Sequence, residues 1–208
     1  VTETPSTEPK AIVKSDDHET AIEIGKLFFE WRDYTPIPLI LLLIIFARPT
    51  AFSATLGLAA IVLGELIRIY SVAFIGSISR TRSDNLGAQL ISSGPFAYVR
   101  NPLYVGNFFI ATGVSVFGGL PWLAALTVLA FCVQYYYIVK YEENLLRQRF
   151  GTAYHEFCDR VPAWIPRKSI DLANFEWPDT FVPALKSEKR TLTAIAAVII
   201  VLLFRSTF

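Results

Sequence analysis

The chain has 208 residues, of which 53% are hydrophobic and 18% charged, with a mean hydropathy of +0.43. This composition excludes a disordered chain, a collagen-like fibre and a disulfide-stapled mini-protein. Nineteen basic against eighteen acidic residues leave a net charge of +1, so no basic field exists to draw nucleic acid, and no such partner is expected.

Residues 1–34 are polar and lack the basic start, apolar core and small-residue cleavage site of a signal peptide. Within them, 18–34 set Ile22, Leu27, Phe28 and Trp31 among charges at nearly helical spacing. That pattern predicts an amphipathic helix, lying on a membrane surface or packed on the protein. Apolar runs follow at 35–47, 50–77, 102–120, 121–139 and 191–204. Three of them reach the roughly 20 helical residues needed to cross a hydrocarbon core of about 30 Å. The runs at 35–47 and 191–204 are shorter, and tilt, interfacial Trp31 and Tyr34 or local thinning would let them span. Arg48-Pro49 and Gly118-Gly119-Leu120-Pro121 are breaks tight enough to make antiparallel helical hairpins.

The expected fold is therefore all-α: a polytopic membrane bundle of about five transmembrane helices with a cytoplasmic C-terminal helical segment. Four regions are expected: a polar segment 1–34, a four-helix membrane core 35–139, a cytoplasmic segment 140–190, and a last membrane helix 191–208. Arg80, Arg82 and Arg100 in one connection and nine lysines and arginines over 140–190 outweigh Arg48 on the other side. By the positive-inside rule the amino terminus, 78–101 and 140–190 are cytoplasmic. Cys132 and Cys158 read as free thiols. His18 and His155 show no ligand spacing, and Cys158 near His155 lacks further partners, so no metal is expected.

Polar chemistry gathers in two segments. In 93–107, Gly94-Pro95 makes a turn, and Pro102 holds Asn101 out of the α region just as an apolar helix begins. The free N–H groups of that first turn, beside Arg100, suit a carboxylate or phosphate. Gly106, four residues on, opens one helix face to close approach by a ligand or a neighbouring helix. In 140–167, Glu142 and Glu143 follow the aromatic residues Tyr135, Tyr136, Tyr137 and Tyr141. Adjacent helical residues point about 100° apart, so one carboxylate can face a ligand while the other pairs with Arg147. Carboxylates at a membrane boundary are costly without a partner. Glu65 and Arg68, at i and i+3 in the second apolar run, either face the same cavity or form an internal ion pair.

The run Gly94-Pro95-Phe96-Ala97-Tyr98-Val99-Arg100-Asn101-Pro102-Leu103-Tyr104-Val105-Gly106 resembles the G-P-[YF]-x-x-[VI]-R-H-P-x-Y-x-G pattern of integral-membrane methyltransferases. That group includes isoprenylcysteine carboxyl methyltransferases and phospholipid N-methyltransferases. Glu142, Glu143, Phe150, Gly151, Tyr154, Phe157, Arg160, Val161 and Pro162 resemble the ending of the same pattern, in the same order. The resemblance implies S-adenosylmethionine bound between the last membrane helices and the cytoplasmic segment. Carried over by position, Tyr98, Arg100, Asn101, Pro102, Tyr104 and Gly106 would line the cofactor, with Glu142 and Glu143 closing the site. Glu142, Glu143 and Arg100 would be the catalytic residues, and Glu65, Arg68 and Lys140 would meet the substrate. The family's histidine is Asn101 here, which hydrogen-bonds but carries no charge. The arginines that precede the glutamate pair in eukaryotic isoprenylcysteine enzymes are absent from 135–140.

The resemblance implies methyl transfer to a lipophilic acceptor from the bilayer, with carboxyl O-methylation of an isoprenylcysteine-type group ahead of N-methylation of phosphatidylethanolamine. A nicotinamide-dependent (NADPH) membrane reductase is the competing enzyme class, against which the Glu142-Glu143 pair speaks. A non-enzymatic membrane scaffold leaves the two ordered motifs unexplained.

Overall fold

The computed structural model describes residues 16–75, 89–167, 169 and 176–206. The polar residues 1–15, and the stretch with Arg80 and Arg82 that helps orient the chain, lie outside the described residues. Among the described residues there are seven α-helices and no strand: α1 (Asp16–Trp31), α2 (Ile37–Phe46), α3 (Ala51–Ile75), α4 (Pro102–Phe117), α5 (Pro121–Phe150), α6 (Thr152–Arg160) and α7 (Val182–Ser206). A short 3-10 turn covers Gly94–Ala97.

Prolines mark where several of these helices begin. Pro38, Pro102 and Pro121 sit in the first turns of α2, α4 and α5, where a missing N–H costs nothing and φ is already set. α5 runs unbroken through the expected boundary between 139 and 140. The apolar stretch and the glutamate pair thus share one rigid rod. α7 likewise begins at Val182, ahead of its apolar run, so its polar first turns belong to the same helix.

α3 and α5 are long and apolar enough to cross a membrane, and only 28% of each apolar window is buried within the protein. A core helix of a water-soluble protein would be mostly buried; here Phe52, Leu66, Leu129 and other large apolar side chains point outward. α2 and α4 are shorter apolar helices. At 1.5 Å per residue α2 reaches only about 15 Å, half the hydrocarbon thickness.

The helices close a ring. α3 packs on α4, α4 on α5, α5 on α2, α2 on α7, and α7 returns to α3. The α3–α4 contact is the most intimate, because glycines face one another across it. A Cβ at Gly64 would lie 2.6 Å from the Gly106 carbonyl oxygen, and one at Gly113 would lie 2.8 Å from that of Gly57. No larger residue permits that backbone approach. One end of the ring is filled by Leu43, Ala47, Phe117, Leu123 and Leu202. At the other end Tyr154, Phe157 and Val161 form a separate cluster with Leu90, Leu146 and Phe150, seating α6 on the end of α5.

Of the two placements expected for the amphipathic helix, the structure has the packed one. α1 lies on α5 with Ala21, Gly25, Phe28 and Phe29 inward, Phe28 against Tyr137 and Phe29 against Tyr141. Leu27 and Trp31 face outward and are more than half exposed.

Candidate active site

The two motifs meet at Arg100. Gly94 adopts φ +55°, with the Phe74 ring filling the space a Cβ would need, and Asn101 is held at φ −122°, ψ 53° by the proline after it. This bent path turns Arg100 toward α5 and α6. Its backbone N–H donates to the Pro162 carbonyl at 2.9 Å, and the Asn101 amide donates to Ala163 O at 3.1 Å. The guanidinium donates to Glu143 Oε1 from Nη2 at 2.7 Å and from Nε at 3.1 Å, and from Nη1 to the carbonyls of Val161 and Cys158. Burial opposes the Arg100 charge, but the hydrogen bond and charge of Glu143 outweigh it and raise its pKa.

The glutamate pair divides as helical geometry requires. Glu143 is buried and holds both Arg100 and Arg147, the latter at 2.9 Å. Glu142 turns the other way, into a cavity, where Tyr104 donates to its Oε2 at 2.7 Å. Burial, then the nearby Glu143 charge, push the Tyr154 phenol above its ordinary range, so it lines the cavity as a neutral hydroxyl.

A chain of polar contacts continues along the wall. Tyr104 meets Tyr135 edge-on at 4.8 Å, and Tyr135 stacks on Phe131 at 4.0 Å. Asn107 Nδ2 donates to the Tyr135 hydroxyl at 3.2 Å, while its Oδ1 accepts from Arg68. Arg68 in turn donates to Glu188 Oε2 from Nη2 at 2.7 Å and Nε at 3.2 Å. Four helices, α7, α3, α4 and α5, are thereby joined by the buried Glu188 and by partly buried polar groups, each of which would be costly in an apolar medium without its partner.

The cavity has a volume of about 1160 Å³. One end is polar, with Arg32, Arg100, Asn101, Tyr104 and Glu142; the other is apolar, with Leu39, Leu43, Ile110, Val114, Ile195 and Val198. Single small-molecule sites span roughly 300–1,000 Å³, so this one lies just above the upper end of that range.

A family model of phospholipid methyltransferases matches residues 52–153, which hold α3, α4 and α5. This segment is thus similar to the phospholipid methyltransferase family. Over 138 residues the chain is 28% identical to the nickel-cobalt-cadmium resistance protein NccN of Alcaligenes xylosoxydans xylosoxydans, covering 66% of this chain and 59% of that one. It is 29% identical to protein-S-isoprenylcysteine O-methyltransferase B of Arabidopsis thaliana over 119 residues, covering 53% and 57%. With the protein-S-isoprenylcysteine O-methyltransferase of Homo sapiens it shares 33% over 118 residues, covering 53% and 40%. The chain thus spans roughly two-fifths to three-fifths of these relatives.

Of the residues that the methyltransferase resemblance singled out, Arg100, Asn101, Pro102, Tyr104, Glu142 and Arg68 lie on the cavity wall. Tyr98, Gly106, Glu143, Glu65 and Lys140 do not. Gly106 faces Gly64 and the Arg68 side chain, so its open face receives a helix rather than a ligand. Glu143 stands behind the wall as the partner of two arginines. Lys140 points outward, 4.5 Å over the half-exposed Tyr136 ring. Glu65 is buried in α3, and the salt bridge of Arg68 is made to Glu188, on α7, rather than to the nearer residue in sequence.

The cavity also takes residues the motif reading did not assign: Arg32, Asn107 and Tyr135, with Glu188 behind Arg68. Asn107 carried a signal, being a lone amide in the apolar 102–120 run. Glu188 carried none, because Lys186-Ser187-Glu188-Lys189-Arg190 reads as a solvated charged face. Among the described residues no three His, Cys, Asp or Glu side chains gather at metal-binding distance.

Proposed function

We propose that the chain is an S-adenosylmethionine-dependent methyltransferase whose acceptor is a lipophilic molecule drawn from the bilayer, with an isoprenylcysteine-type carboxylate as the group methylated. The observation that carries this reading is the continuity of a charged, aromatic pocket with an apolar chamber between α2, α4, α5 and α7. The charged end fits the head group of a cofactor or acceptor. The apolar end fits a hydrocarbon chain, at about 0.8 kcal/mol per buried methylene. The names of the plant and human relatives favour the carboxyl acceptor.

The residues present suit a sulfonium nucleoside. The Glu142 carboxylate and the faces of Tyr104 and Tyr135 suit a positive centre, and the slot of Leu146, Phe150 and Phe157 suits an adenine. A methyl sulfonium supplies an already activated methyl group, so an in-line displacement needs positioning and a dry site above all. The protein's share is then mechanical and electrostatic. Glu142, fixed by Tyr104, would orient the cation. Arg100, held by Glu143, ties the end of the α6 segment to the start of α4 and so fixes the wall of the polar end. A carboxylate acceptor needs no base; an amine would have to give up a proton, and Glu142 is the carboxylate beside Tyr104 able to take it.

The test supplies the purified protein with radiolabelled S-adenosylmethionine and, separately, a farnesylcysteine analogue and phosphatidylethanolamine. Base-labile label on the first is expected. Base-stable label on the second would transfer the assignment to N-methylation. Cofactor binding without label on either would remove both acceptors, and absence of cofactor binding would remove the methyltransferase reading itself.

A further inference from the structure

Four guanidinium groups line the cavity: Arg32, Arg68, Arg100 and Arg190. Arg68 and Arg100 are committed to Glu188 and Glu143, each at 2.7 Å. Arg190 is exposed. Arg32 is half-buried and, among the described residues, joins no salt bridge. Its Nη1 donates to the Phe29 carbonyl at 3.2 Å, and its guanidinium lies 3.9 Å over the Phe29 ring. That stacking fixes the plane of the fork while most of its N–H donors stay available to a ligand.

The helix that delivers Arg32 is itself firmly placed. Gly25 of α1 packs against Tyr137 and Tyr141, and Thr35 donates to Gln134 Oε1 at 3.0 Å. Arg32 lies within electrostatic reach of Tyr104, Tyr135 and Glu142, with Asp33 beside it on the same wall. The polar end therefore presents the Arg32 cation from the turn after α1 and the Glu142 carboxylate from α5. That arrangement suits a ligand bearing both charges, or an anionic head group beside a cationic cofactor. α1 precedes the family-matched segment 52–153, so this contribution comes from outside it.

We infer that Arg32 is the residue that receives a ligand carboxylate in this cavity. The inference rests on the methyltransferase reading and deepens it: the carboxylate belongs either to the amino-acid part of the cofactor or to the acceptor. Arg100, the arginine inside the motif, is a positioning residue, because its donors are spent on Glu143, Val161 and Cys158.

The test measures calorimetric binding to the full chain in detergent for wild type, Arg32→Gln and Arg32→Lys. Two ligand pairs are compared: S-adenosylhomocysteine with its decarboxylated analogue, and farnesylcysteine with its amide. Wild type should prefer the carboxylate-bearing member of one pair by roughly 10- to 100-fold, and Arg32→Gln should lose that preference while binding the other member as wild type does. Arg32→Lys, which keeps the charge without the fork, should retain part of it, and supplies the comparison if the glutamine variant fails to elute as a single species. The pair that responds identifies the source of the carboxylate. Preferences unchanged by either substitution would overturn the inference while leaving the methyltransferase reading intact. Wild type binding none of the four ligands would overturn both.

Discussion

Arg100 and Glu143 are joined at 2.7 Å across 43 residues of sequence, and with them the start of α4 is joined to the end of α5. Both side chains are nearly nine-tenths buried, so removing Arg100 leaves Glu143 with only the more exposed Arg147, and removing Glu143 leaves Arg100 with only carbonyl acceptors. Arg100→Ala is expected to destabilise the protein by about 3 kcal/mol, lowering Tm by roughly 6–12 °C in detergent. Glu143→Gln, which keeps the shape and one acceptor, should cost less. An unchanged Tm in Arg100→Ala would contradict a positioning role.

Tyr104→Phe removes one hydroxyl and its bond to Glu142 while leaving the ring on Tyr135. Binding of S-adenosylhomocysteine or turnover should fall by about 1–2 kcal/mol, with thermal unfolding nearly unaltered. The two readouts separate a loss in the cavity from a loss of fold.

Gly106→Leu should fail differently. A Cβ there already meets the Arg68 side chain at 2.6 Å and the Gly64 carbonyl oxygen at 2.8 Å, so a larger side chain pushes α3 and α4 apart. The expected outcome is aggregated or polydisperse elution rather than a folded protein that has lost its ligand. Clean elution with selective loss of binding would restore a ligand-facing role to this glycine.

The Arg68–Glu188 pair predicts a contrast between breaking and replacing. Glu188 is fully buried, so Glu188→Ala strands the Arg68 charge and should cost about 3–5 kcal/mol. The double substitution Arg68→Met with Glu188→Leu should be milder than the single one, as measured by thermal unfolding. If the double variant is the less stable of the two, the pair does more than hold α7 to α3.

Orientation is testable with single cysteines at exposed positions in a chain lacking Cys132 and Cys158. We expect Asp179→Cys to react only from the cytoplasmic side and Thr50→Cys only from the opposite one. That outcome follows from the lysine and arginine excess over 140–190. Reaction of both from one side would cut the number of crossings expected between them to an even one.

The apolar runs and their proline and glycine breaks were legible along the chain because they are local: helical hydrophobicity and missing N–H groups act within a few residues. The starts of α4 and α5 fall at Pro102 and Pro121, where the apolar runs begin. Glu142 and Glu143 had to diverge, because adjacent helical residues lie about 100° apart, and Arg147 had to be in reach of Glu143. The packed placement of α1, the continuation of α5 past residue 139 and the start of α7 were not legible in this way. Mixed polar and apolar sequence supports a helix on lipid or on protein alike, and no local signal ends a helix where only polarity changes.

The ordered residues of 93–107 and 140–162, with the five apolar runs, determined by themselves a helical chain with long apolar runs and its polar chemistry at two places. Which side chain faces which was decided only in three dimensions. Arg100 turned from a ligand seat into a clamp because Glu143, Cys158 and Val161 surround it, and Gly106 turned from the cavity because Gly64 needed it. Arg32, from the turn after α1, and Glu188, from α7, entered the site from flanking segments whose sequences read as ordinary charged surface. The physical reason is the same in each case: helix periodicity states which residues share a face, but only packing against a particular neighbour states what that face meets.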